Sequence, residues 1–293
     1  MPIILDGAAI AAAIKQEVQE EVRALAALGI RPGLAAVRVG DIAASEIYVR
    51  NKVQACAELG IFSELIAPPA DVTTEDMLGV IAALNARDDI DGILVQLPLP
   101  AHVDAKALLD AVSPAKDVDG FHPINVGKLL LGQNPLFKPC TPAGVHELLI
   151  RTEVPLSGAE VVILGRGNIV GKPMAAILMQ KEKHADATVT VLHSRSKNIT
   201  AHCRRADIII AAMGQARFVK ADMVKPGAVV IDVGVNRVDD PTAKNGYRLV
   251  GDVDFEAVRQ VAGAITPNPG GVGPMTIAML LSNTVRAAEL AGS

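Results

Sequence analysis

The sequence predicts an α/β protein built from two domains. Three observations carry that expectation. Apolar runs of strand length alternate with stretches of helical period from one end of the chain to the other. The 293 residues leave room for two cores. In mid-chain, one apolar run ends in a cluster of glycines and leads straight into a helix. In full, the expected fold is two α/β domains with a cleft between them, the second a doubly wound parallel sheet, and the final helix returning to the first.

Residues 7–28 read as a helix, because Ile10, Ile14, Val18, Val22 and Leu25 recur at steps of three and four and Gly29 follows as a stop. Residues 34–39 read as the first strand and 44–59 as a helix closed by Gly60. Residues 61–66 are the second strand, and Thr73-Thr74-Glu75-Asp76 opens a helix with capping chemistry. Asp91-Gly92 turns into a third strand, 93–97, which Pro98 and Pro100 end. Strands separated by helices imply parallel pairing through right-handed crossovers. A short helix near 103–112 leads to the polar loop 116–123.

The boundary falls at Pro139-Cys140-Thr141-Pro142, with a linking helix to about Arg151. Later strands are expected near 161–164, 188–192, 207–212, 229–233 and 263–266, with 247–250 as an edge strand. A proline- and glycine-rich loop, 266–274, precedes a last helix at 275–290. The expected division is 1–140 with 275–293 as one domain and 141–274 as the other.

The run Val161 to Leu164 is followed by Gly165, Gly167 and Gly171, spaced G-x-G-x-x-x-G, with Pro173 at the first helical turn. Missing side chains let a phosphate reach the backbone, where the helix N-terminus offers free N–H groups and positive partial charge. The spacing is one residue longer than the usual dinucleotide fingerprint, so a plain strand-to-helix turn is the alternative. The next strand runs into His193-Ser194-Arg195-Ser196. NAD-binding folds carry an acid there for the ribose hydroxyls, whereas Arg and hydroxyls suit a 2′-phosphate. The second domain therefore reads as a Rossmann-type unit preferring NADP, with an exposed solvated loop as the alternative.

Composition narrows the function. Half the residues are hydrophobic, 20% are charged, and the formal net charge is −4 with no basic run. These values argue against nucleic acid or an anionic membrane as partner. No apolar stretch approaches the roughly 18 residues of a membrane span. The N-terminus lacks a signal-peptide pattern, and three scattered cysteines form neither a disulfide framework nor a zinc site. A reduced cytoplasmic protein without a structural metal is expected.

Ser45, Tyr48 and Lys52 share one face of the helix after the first strand. Tyr48 offers a flat ring with a polar tip, and Lys52 an amine that becomes a base if burial favours its neutral form. Gln96 ends the third strand, where open α/β sheets bind ligands. A structural cap is its alternative. Asp117 and Asp119 flank Val118 before Gly120, where plain turn chemistry is the alternative. The cofactor half has no general-base histidine beside its strand ends except His193. That suits a hydride donor whose carbon lies between two nitrogens. A lone pair expels the hydride, and the cation left behind is open to water.

These residues resemble the bifunctional methylenetetrahydrofolate dehydrogenase/methenyltetrahydrofolate cyclohydrolase family along nearly the whole chain. Five segments carry the resemblance: Tyr48-Val49-Arg50-Asn51-Lys52, Gln96-Leu97-Pro98-Leu99-Pro100, Lys116-Asp117-Val118-Asp119-Gly120-Phe121, residues 165–173 and residues 269–276. The resemblance implies oxidation of 5,10-methylenetetrahydrofolate with NADP, then hydrolysis to 10-formyltetrahydrofolate. It implies a catalytic set of Lys52, Gln96 and Asp119, with Lys52 as the amine, Gln96 orienting it and Asp119 anchoring the pterin. Tyr48 would stack on the aminobenzoyl group, with Leu97, Gly273 and Pro274 completing the folate site. Gly165, Arg166, Gly167 and Asn168 match the phosphate loop, Ser194 and Arg195 the 2′-phosphate region, and Val235 the nicotinamide end. The family is typically homodimeric.

Three positions depart from the pattern: Gly167 replaces a common Ser, Asn268 a common Val, and the 41–45 loop lacks a usual Pro. The competing readings are a shikimate-type NADP dehydrogenase and a catalytically silent NADP- or folate-binding protein.

Overall fold

The computed structural model describes residues 2–40, 43–243 and 246–292, and the side chains of 43–45 and 47 are not described. The expectations for Ser45 and for the 41–45 loop therefore lie outside the described residues. In chain order the strands are β1 (Ile3–Ile4), β2 (Gly33–Val37), β3 (Phe62–Ile66), β4 (Gly92–Val95), β5 (Glu160–Leu164), β6 (Thr188–Leu192), β7 (Ile208–Ala211), β8 (Val229–Asp232), β9 (Asn236–Asp239), β10 (Tyr247–Val250) and β11 (Ala264–Ile265). The chain divides into two compact units. One is Met1–Ala11 with Thr141–Thr276, and the other is Ala12–Cys140 with Ile277–Ser293.

The unit containing Ala12–Cys140 holds a parallel three-stranded sheet in the order β3-β2-β4. Central β2 is buried at every residue, as a strand paired on both sides and covered on both faces must be. Helices Ala43–Leu59 and Thr74–Asn85 are the crossovers. The second starts at Thr73, whose side chain accepts from the Asp76 N–H while Asp76 reaches back to the Thr73 N–H. Its buried residues Met77, Ile81 and Leu84 pack with Val37, Ile93 and Val95 of the sheet. Helix Pro123–Leu130, just past the expected 116–123 loop in a stretch with no expected element, starts with His122 capping the Ile124 N–H through Nδ1.

The other unit is a six-stranded parallel sheet in the order β1-β11-β8-β7-β5-β6. Strand β5 lies between β6 and β7, so the winding reverses at its carboxyl end, where doubly wound sheets bind ligands. Two expectations need correction. The first eleven residues belong here, because Ile3 and Ile4 pair with Ala264 and Ile265. A two-residue strand gives no periodicity to read. Tyr247–Val250 is no edge of the main sheet: it pairs antiparallel with β9 as a separate ribbon. The last helix, Val272–Gly292, starts in this unit and belongs to the other from Ile277 onward.

Thr73→Ala should lower stability by about 1 kcal/mol, read from the urea midpoint, since it removes the hydroxyl that accepts from the Asp76 N–H and donates to the Asp76 carboxylate.

Candidate active site

Lys52 lies on helix Ala43–Leu59 and is only 6% exposed. Its Nζ donates to Gln96 Oε1 at 3.1 Å, while Gln96 Nε2 donates to the Leu97 carbonyl at 2.8 Å. Gln96 stands just beyond β4, and its own N–H binds the Val37 carbonyl of β2. The sheet thus sets the amide that holds the amine. Tyr48, one helical turn earlier and 37% exposed, has its ring centroid 6.0 Å from Lys52 Nζ. Spacing alone brings Tyr48 and Lys52 together, but Gln96 arrives through tertiary structure.

Asp119 joins them electrostatically. Burial pushes its carboxyl above the ordinary range although part of the residue stays exposed. The Lys52 charge and the Cys140 thiol pull the other way. Cys140 is buried against Asp119, which drives its thiol well above the usual range and makes it a poor nucleophile. Sequence reading missed Cys140 and Asn283. The Asn283 amide donates to the Val118 carbonyl at 2.8 Å and to that of Lys138 at 3.3 Å, fixing the loop that presents Asp119. Its place on the last helix gives no local signal.

Asp117 is a different case. Its carboxylate accepts from the N–H groups of Phe121 and His122 and from the Asn125 amide. It organises the turn, so the turn-chemistry alternative describes it.

In the other unit, Gly165 has φ +125°, and a Cβ there would stand 2.1 Å from the Ala212 carbonyl oxygen. A Cβ on Gly171 would meet the Gly165 oxygen at the same 2.1 Å. Both positions demand glycine. Gly167 faces open space, and Arg166 and Asn168 are exposed beside it, Asn168 accepting from Lys172 Nζ at 2.7 Å. This cradle at the carboxyl end of β5, opening into helix Gly171–Leu178, fits a pyrophosphate. Ser194 and Arg195 are exposed just after β6, in a turn tied by the His193 N–H to Ser196 Oγ. Val235 is 55% exposed after β8. Gly273 and Pro274 are half-buried at the start of the last helix, in the same unit as the glycine cradle.

A glycine cradle at the switch point of a parallel sheet defines a dinucleotide-binding unit. Comparison with known proteins is more specific. Residues 5–119 match the catalytic domain of tetrahydrofolate dehydrogenase/cyclohydrolase, and residues 139–291 match its NAD(P)-binding domain. A bifunctional protein FolD of Oleidesulfovibrio alaskensis is 56% identical, covering 97% of this chain and 96% of its own. The crystal structure of the bifunctional FolD enzyme from Campylobacter jejuni superposes with a TM-score of 0.93 at 47% identity, covering 99% of both chains. FolD of Trypanosoma brucei, complexed with NADP and an inhibitor, gives 0.95 at 43% identity, covering 99% of this chain and 98% of that one. The chain belongs to the tetrahydrofolate dehydrogenase/cyclohydrolase family, and neither the shikimate-type nor the silent-binder reading is favoured.

Burial raises the Asp117 carboxyl from the ordinary 3.8 to about 6. The native state therefore keeps this proton across that window, while the unfolded chain has released it. Its ionisation removes stability as pH rises. Wild type should lose stability relative to Asp117→Asn between pH 4 and pH 6, measured by urea unfolding of both proteins.

Proposed function

We propose that the chain oxidises 5,10-methylenetetrahydrofolate to the methenyl cation with NADP and then hydrolyses that cation to 10-formyltetrahydrofolate. The observation that carries this reading is the buried Lys52 amine, 3.1 Å from Gln96 Oε1 and facing the Tyr48 ring. NADP, when bound, accepts the hydride that a folate nitrogen lone pair expels. Gly165, Arg166, Gly167 and Asn168 hold its pyrophosphate, Ser194 and Arg195 its 2′-phosphate, and Val235 borders its nicotinamide.

The residues around Lys52 divide the remaining work. Tyr48 stacks on the aminobenzoyl ring, and Asp119 anchors the pterin with help from Leu97. Gln96 orients the Lys52 amine. Lys52 takes a proton from water as its oxygen adds to the methenyl carbon, and it then returns that proton to the pterin nitrogen as the C–N bond to it breaks. The added hydroxyl gives up its remaining proton to leave the formyl C=O, so that one proton is released overall. Hydride transfer depends mainly on placement of the two rings.

The homodimer, the cytoplasmic setting and the absence of nucleic-acid and membrane partners are part of this reading. The supporting facts are a net charge of −4 and, among the described residues, no helix long and apolar enough to cross a membrane.

Assaying methylenetetrahydrofolate with NADP and then with NAD tests the reaction. Lys52→Met should lower methenyl hydrolysis by roughly 10²–10⁴-fold while leaving measurable dehydrogenase. Hydrolysis at the wild-type rate would remove Lys52 from its role. Asp119→Asn should raise the folate KM by about tenfold, as loss of one charged hydrogen bond does. An unchanged KM places the pterin anchor elsewhere.

A further inference from the structure

Two carboxylates in the nucleotide-binding unit take no part in the chemistry above, yet they are among its most enclosed polar groups. Asp232 ends β8 at 3% exposure, and Asp252 follows β10 at 1%. Asp252 accepts from three successive N–H groups beyond β7: Met213 at 2.6 Å, Gly214 at 2.9 Å and Gln215 at 2.9 Å. It also accepts from Asn236 Nδ2 at 2.8 Å. Asp232 accepts from the N–H groups of Gly234 at 3.0 Å, Asp252 at 2.9 Å and Val253 at 3.2 Å.

The network reaches a third strand end. The Asp232 N–H donates to Thr266 Oγ1 at 2.8 Å, and Asn268 Nδ2 donates to the Gly234 carbonyl at 2.6 Å. The segments leaving β7, β8 and β11 are therefore tied together. Glycine is required at both crossing points. A Cβ on Gly234 would lie 2.3 Å from Asp252 Oδ1, and one on Gly251 would lie 1.7 Å from Asp232 Oδ2. Burial, with Asp252 adding a smaller push, raises the Asp232 carboxyl to about 6, so enclosing it here costs stability.

What the network holds identifies its use. Val235 stands between Gly234 and Asn236, and both are bonded to the pair. The segment beyond β7 adjoins the phosphate turn, because the Ala212 N–H binds the Leu164 carbonyl at 2.7 Å and the Ala212 oxygen fills the space beside Gly165.

We propose that Asp252, backed by Asp232 and Asn268, is a positioning residue for the cofactor, pinning Val235 and the 212–215 segment as a preformed wall at the nicotinamide end. The inference rests on the NADP reading and on the placing of Val235. A preformed wall spares the ordering cost of binding, and a loosened one does not.

The test is calorimetric titration of NADP into the full chain, alongside methenyl hydrolysis, which consumes no NADP. Asp252→Asn replaces an acceptor by a donor facing N–H groups, and NADP affinity should fall about tenfold with hydrolysis within about twofold of wild type. Asn268→Ala keeps both acids and should weaken NADP by about threefold. It decides the matter alone if Asp252→Asn does not fold. NADP affinity within twofold of wild type in the deciding variant overturns the proposal, as does parallel loss of hydrolysis and affinity in both. Wild type that binds NADP but turns over no folate sinks the reaction proposed above and leaves this titration readable.

Discussion

Each main sheet of this protein is parallel throughout, and that constraint governs the rest. A parallel strand pair needs a crossover, so every strand ends where a loop or helix must depart, and the departures of one sheet collect at one edge. In the smaller sheet that edge brings Gln96 beside the helix carrying Lys52. In the larger one it gathers the glycine cradle, the turn holding Ser194 and Arg195, and Val235. Neither set could be assembled by neighbours in sequence.

The two edges handle charge differently. Around Lys52 an amine, an acid and a neutral amide share a shielded space, and Lys52 offsets part of the burial that raises the Asp119 carboxyl. At the glycine cradle the larger sheet offers backbone N–H groups and, among the described residues, exposed side chains such as Arg166 and Asn168. Its buried charges, Asp232 and Asp252, have the same sign and are spent on loops. A site that must bind a ligand carrying several negative charges and release it gains from that separation.

Much of this was legible in sequence where the physics is local. The cradle can be read because glycine is the residue that tolerates its backbone contacts, and Tyr48 and Lys52 because helical spacing fixes their common face. Most strands were legible because a buried parallel strand is an apolar run. Pairings across distance do not follow from local physics, and the Lys52–Gln96 pair came only with the family resemblance. Gln96 reaches Lys52 across 44 positions and Asn283 reaches Val118 across 165. The Asp232–Asp252 network hid behind ordinary strand ends, although Gly251-Asp252 and Gly234 held a signal, glycines standing where an acid crowds the backbone. The 247–250 strand was read correctly as a strand and misplaced, because alternation does not name a partner.

The chain passes between its two units three times, each time inside a helix: at Ala11/Ala12, Cys140/Thr141 and Thr276/Ile277. Neither unit is thus a continuous piece of polypeptide. During synthesis Ile3 and Ile4 must wait for Ala264 and Ile265 before their ladder closes, and the unit built from 12–140 must wait for its last helix. The first half emerging from the ribosome completes neither unit: one waits for residues up to Thr276 and the other for the helix that follows.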